Sequence, residues 1–100
     1  MPPPLKKQPK LNTAPDYFSR GYAWRQKQDY DRAISDYTDA INFHPLVPDP
    51  FYKRGNAYLH KNDNEHAIAD FRRAYELSGP NGPRRRDALA KLQKLGVNQP

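Results

Sequence analysis

One hundred residues allow a single domain, and with 36% hydrophobic residues and a mean hydropathy of −1.12 its core is thin. The absence of cysteine excludes disulfides, thiolate metal sites and thiol catalysis. No stretch approaches the roughly 18 apolar residues a membrane helix needs, and the N-terminus lacks the apolar core of a secretory signal. A cytoplasmic location is therefore expected. Net charge is +6, divided as +3 over residues 1–13, −1 over 14–81 and +4 over 82–100.

Residues 1–13 hold Lys6, Lys7 and Lys10 among prolines with no apolar periodicity, which predicts a disordered basic leader. Thr13 then offers an N-cap, with Pro15 and Asp16 in the first turn of a helix. That helix carries Tyr17, Gly21 and Trp24 at i, i+4, i+7. Asp29 can cap a second helix, with a stripe of Ala33, Ile34, Tyr37, Ala40 and Ile41. Pro45 and Pro48 end this first unit, residues 14–47. Asp49-Pro50 opens the second, residues 48–81. Its first helix carries Phe51, Gly55 and Tyr58. Asp63 caps the next, with Ala67, Ile68, Phe71, Ala74 and Tyr75. Gly79-Pro80 stops it, with Gly79 expected in the left-handed C′ conformation. A fifth helix over 82–96 shows Leu89, Leu92 and Leu95 on one side and ends at Gly96; a loose tail is expected from Val97.

The two units are copies. At an offset of 34, nine positions are identical: Arg20/Arg54, Gly21/Gly55, Ala23/Ala57, Lys27/Lys61, Asp29/Asp63, Ala33/Ala67, Ile34/Ile68, Asp36/Asp70 and Ala40/Ala74. A fixed period of this length marks a repeat architecture. Glycine inside a helix costs about 1 kcal/mol relative to alanine. Two glycines at one repeat position therefore predict close helix approach, with an aromatic ring of the partner helix filling the space.

Tyr17-x2-Arg20-Gly21-x2-Trp24, Ala33-x3-Tyr37 and Pro45, repeated as Phe51-x2-Arg54-Gly55-x2-Tyr58 and Ala67-x3-Phe71, resemble the tetratricopeptide repeat, W-x2-L-G-x2-Y, A-x3-F, P. Arg20 and Arg54 replace the pattern's leucine, and Gln28 and Asn62 occupy the turn where glycine is common. The resemblance implies an all-α, helix-turn-helix repeat superhelix of five helices, the last a capping helix. It implies a protein-binding module, a scaffold or adaptor, without catalysis, cofactor or metal. Its first helices line an extended concave groove. The expected groove residues are Phe18, Tyr22 and Arg25, then Tyr52, Asn56, Leu59 and His60, and Arg86 on the last helix. Phe18 and Tyr52 could equally complete the core between units. The family's chaperone-binding carboxylate clamp finds Phe18, Tyr22, Lys53, Pro83 and Asp87 at its positions, so none matches. A looser acidic-peptide groove through Arg25, Lys53 and Arg86 is the remaining expectation.

The partner expected is therefore a protein or peptide, acidic in character. Two repeats bury little core, so three outcomes are expected as alternatives: continuation in a longer array, self-association through the exposed end of the first unit, or a fifth helix that suffices as a cap. The alternative function is binding of nucleic acid or another polyanion by the basic ends, Lys6, Lys7, Lys10, Arg84, Arg85 and Arg86. Three arginines opening a helix are disfavoured by its dipole, and an anion would relieve them. His44, His60 and His66 have no metal-ligand spacing, and no phosphate-loop or nucleophile motif is present.

Overall fold

A computed structural model describes residues 8–97. Five helices follow one another: α1 (Ala14–Gln26), α2 (Tyr30–Phe43), α3 (Pro48–His60), α4 (Asn64–Leu77) and α5 (Pro83–Lys94). No strand occurs among the described residues. Each helix packs on the next, and α3 also reaches α5. The result measures 38 × 31 × 19 Å, a slab two helices thick. No helix among the described residues is long and apolar enough to cross a membrane.

Local chemistry sets the ends. Thr13 accepts the Asp16 amide at 3.3 Å and opens α1. Asp29 and Asp63 accept from the Arg32 and His66 amides at 3.1 and 3.2 Å and open α2 and α4. The same aspartates also close the preceding helices. The Asp29 amide donates to the Trp24 carbonyl and the Gln28 amide to Arg25, both at 2.9 Å, a Schellman motif that recurs from Asp63 to Tyr58 and Asn62 to Leu59. Gln28 and Asn62 take its left-handed position, with φ of 62° and 61°. One aspartate serving both ends makes a very short turn, which explains why it repeats.

Two sequence-derived boundaries are corrected. The second unit is not opened by Asp49-Pro50: α3 starts at Pro48, with Val47 as its N-cap and no side-chain capping bond. Pro48 is thus the first residue of α3, at the expected boundary between the two units. Gly79 is not left-handed. α4 is closed by Ser78, whose hydroxyl donates to the Ala74 carbonyl at 2.8 Å, and Gly96 (φ 83°) is the left-handed glycine among the described residues.

The repeated glycines do what their spacing predicts. A β-carbon on Gly21 would lie 2.8 Å from Tyr37 Cε1, and one on Gly55 2.8 Å from Phe71 Cε1. Both rings are fully buried. Ala33, Ala40, Ala67 and Ala74 are buried around them. Leu92 and Ala88 extend this core into α5.

Residues 8–12 and Val97, at the two limits of the described part, pack more closely than composition suggests. Residues 8–12 have no helix or strand. Gln8, Pro9 and Leu11 nevertheless hydrogen-bond to α1 and α2. Residues 1–7, including Lys6 and Lys7, and residues 98–100 lie outside the described part. Val97 packs against the core, and its amide donates to the Leu92 carbonyl at 2.8 Å.

Candidate functional site

The alternation of first and second helices puts α1, α3 and α5 on one side. Lys53 of α3 holds its Nζ 5.4 Å from the ring centre of Tyr22 on α1. Arg84 of α5 lies 4.6 Å over the Tyr52 ring of α3 and donates to Asp49 Oδ1 at 2.8 Å. Both contacts tie one first helix to the next, so the three form one continuous face.

Four of the sequence-derived residues meet there. Tyr22 is 40% exposed, and its hydroxyl accepts from Gln26 Nε2 at 3.0 Å. Arg25, Lys53 and Asn56 are half-buried. Burial, Arg84 and Arg25 push the Lys53 ammonium below its ordinary range, and Asp49 and Asp87 only partly oppose them. The face therefore concentrates positive charge around one lysine. Beneath it, the Tyr37 hydroxyl has no hydrogen-bond partner, although the residue is fully buried. Burial pushes this phenol up to about 12, while Arg25 acts in the opposite direction. The matching position in the second repeat is Phe71, which has no hydroxyl to satisfy.

The remaining five lie elsewhere. Tyr52 is 8% exposed and belongs to the core; burial raises its phenol, and a hydrogen bond with Asn56 opposes that. Phe18 is half-buried, its ring 5.6 Å from that of Tyr37. It lines an apolar cleft of about 250 Å³ with Ala14, Ala40, His44, Val47 and Pro50, between the two repeats. Leu59 packs on the core. His60 stacks on Tyr30 at 4.6 Å and 4° and is spent between units. Arg86 is exposed beside Pro80, Gly82 and Leu89 at the end of the stack. The offset of 34 equates Arg86 with Tyr52, whose ring faces the following helix. At α5 that direction leads out of the stack, and Arg84 occupies the shared face instead.

Arg84, with its acidic neighbours Asp49 and Asp87, is the part sequence reasoning missed. Its partners also bear on the polyanion alternative. Arg84 donates to Asp49 and, at 3.0 Å, to Asp87. Arg85 stacks 4.1 Å over Tyr75 and donates to its hydroxyl at 2.7 Å. Two of the three arginines thus have partners within the fold that dock α5. Lys10 and Arg86 remain exposed.

The departures from the repeat pattern also acquire a reason. Arg20 donates to Asp36 through Nε and Nη2 at 2.7 and 2.8 Å, and Arg54 to Asp70 at 2.8 and 2.7 Å. Both aspartates are buried. Burial pushes Asp70 above the usual carboxylate range, against the pull of the Arg54 hydrogen bonds. The two forks clip the second helix of each unit to the first at the same place.

No curated protein matches the chain. A tetratricopeptide-repeat family model matches residues 48–81, the span of α3 and α4 with their turns. Residues 48–81 are thus a tetratricopeptide repeat, a type of unit used for protein–protein interaction, and α1 and α2 repeat its glycine, its ring, its arginine fork and its Asp-capped turn, consistent with a second such repeat in a stack closed by a fifth helix.

Proposed function

We propose that the face of α1, α3 and α5 binds an extended acidic segment of a partner protein, without catalysis. The carrying observation is the placing of Lys53 over the exposed Tyr22 ring, with Arg25 and Arg84 close enough to crowd the Lys53 ammonium. A carboxylate arriving there relieves it. Asn56 offers an amide to a peptide backbone, and Tyr22 offers area at low entropy cost.

The test is fluorescence anisotropy with pooled labelled peptides, Asp/Glu-containing, neutral and Lys-containing, alongside a single-stranded DNA 20-mer. The acidic pool should bind best, and Tyr22→Ala with Asn56→Ala should weaken it on the order of tenfold, about 1.4 kcal/mol. Tyr37→Phe should raise thermal stability and leave the affinity unchanged, since an unsatisfied buried hydroxyl costs about 1–3 kcal/mol and this one is out of the peptide's reach. Equal binding of the neutral pool would refute the acidic preference. Tighter binding of DNA, collapsing steeply with salt, would favour the basic termini instead.

A further inference from the structure

Each first helix has a face turned toward the chain that precedes it. In α3 that face meets α2. Phe51 shares a core cluster with Ile41. Arg54, with Nε and Nη2 on Asp70, gives its Nη1 to the Thr38 hydroxyl at 3.1 Å. The second repeat therefore shows what this face requires: a polar acceptor for the arginine and an aliphatic side chain for the ring.

In α1 the corresponding residues are Tyr17 and Arg20, and no described helix precedes them. Their needs are met all the same. Arg20 Nη1 donates to the Pro9 carbonyl at 2.9 Å, in the role Thr38 plays for Arg54. Leu11 packs against Tyr17, as Ile41 lies with Phe51, and the Leu11 amide donates to the Tyr17 hydroxyl at 2.8 Å. Tyr17 is left 5% exposed. Gln8 bridges the two helices: its Nε2 donates to Asp36 Oδ1 at 3.1 Å, and its Oε1 accepts from the Trp24 indole at 2.7 Å.

We propose that Gln8–Leu11 is a strap that caps the solenoid in cis, docked on the α1 face where the second helix of a preceding repeat would pack. That face is then an interaction surface separate from the one formed by α1, α3 and α5. Its occupant is an extended segment of this chain, recognised through a glutamine side chain, a proline carbonyl and a leucine. Any helix stacking on this end must displace the strap and replace its acceptor for Arg20.

Trp24 is the single tryptophan and touches the strap, so its fluorescence reports docking. The experiment compares the full chain with a Gln8→Ala, Pro9→Gly variant by Trp24 emission and acrylamide quenching, with far-UV circular dichroism as the fold control. Amide exchange of Leu11, Lys10 and Asn12 is read in both. With the strap docked, the variant should emit further to the red and quench about twofold faster at unchanged helicity. In the parent, the Leu11 amide should exchange on the order of tenfold slower than its two neighbours, and the variant should lose that protection. A Leu11 amide that exchanges as fast as its neighbours in the parent overturns the proposal. So does a Trp24 signal that the variant leaves unmoved. If the variant proves less helical, the exchange pattern of the parent alone decides.

Discussion

Replacing Gly55 with alanine sets two effects of known size against each other. On helix propensity alone the change should stabilise by about 1 kcal/mol. The new β-carbon, however, would sit 2.8, 3.0 and 3.1 Å from Cε1, Cδ1 and Cζ of Phe71. Ordinary contact begins near 3.4 Å, so ring and helix must separate by about 0.6 Å. Phe71 is 0% exposed and has the Tyr52 ring 5.5 Å away, so it has nowhere to turn. Overpacking costs about 1–3 kcal/mol, and a rigid ring edge belongs at the top of that range. The net expectation is a loss of about 2 kcal/mol, or roughly 8–16 °C in Tm for a chain of this length. Thermal melts of Gly55→Ala, Phe71→Leu and the double variant test this as a cycle. The double variant should be more stable than the two losses predict by about 1–2 kcal/mol, because the methyl enters space the ring has left. Gly79→Ala, where a β-carbon meets nothing within 4 Å, is the control and should stay within about 0.5 kcal/mol of the parent. A Gly55→Ala chain melting at or above the parent, or an additive cycle, would refute the close-approach argument.

Gln28 pays for a left-handed backbone without glycine's freedom, so Gln28→Gly should raise stability by about 1 kcal/mol in a denaturant melt; no gain would mean the turn is unstrained. Arg54→Met leaves the Asp70 carboxylate buried and unpaired and should cost about 3–5 kcal/mol, whereas Arg54→Met with Asp70→Leu should recover most of that loss. Burial already holds the Asp70 pKa above its unfolded value, so this group disfavours the folded state at high pH. Arg54→Met should accordingly melt higher at pH 4.5 than at pH 7, and the reverse order would count against the buried pair. The Asp29 pKa is lowered: burial raises it, but the Arg32 side-chain and amide hydrogen bonds prevail. Its contribution is therefore present above the unfolded value of 3.8 and is lost as pH falls below it. Asp29→Ala should cost about 1 kcal/mol at pH 7, and Asp29→Asn should flatten the decline in Tm between pH 4 and 2.5.

Signals that repeat within the chain could be read from it, and signals that cross it once could not. The helix pairs, their aspartate caps and the glycine-to-ring contact each occur twice at a fixed offset, and a period of 3.6 assigns their faces. The arginine forks were equally visible in principle. Arg20/Arg54 and Asp36/Asp70 repeat together, and their joint recurrence was the clue. They read as departures because partners 16 residues apart meet only after two helices fold back on each other. Arg84 was hidden for another reason. It pairs with Asp49 across 35 residues, once, after a loop whose geometry no periodicity fixes. The strap left even less trace. It docks through a carbonyl, an amide and one glutamine, and backbone groups carry no hydropathy pattern. Its prolines pointed to disorder, and they are equally suited to an extended segment that donates few amides.

The same contrast separates architecture from recognition. Positions identical in both repeats, such as Gly21/Gly55, Arg20/Arg54, Asp36/Asp70 and Asp29/Asp63, hold one helix against the next. Positions on the face of α1, α3 and α5 differ from their counterparts at the offset of 34: Tyr22 and Asn56 from each other, Arg25 from the core-packed Leu59, and Lys53 from Ser19. A stack of copies needs only the first set. The second set is unconstrained by stacking, and it differs in chemistry that costs stability: a crowded lysine and, just below, a tyrosine hydroxyl where the other repeat has phenylalanine. A buried hydroxyl left unpaired in one copy and absent from the other is not required by the fold. Being fully buried, it is also out of reach of a bound segment, so removing it should raise stability and leave affinity where it was, whereas removing Tyr22 from the surface should lower affinity and leave stability nearly unchanged.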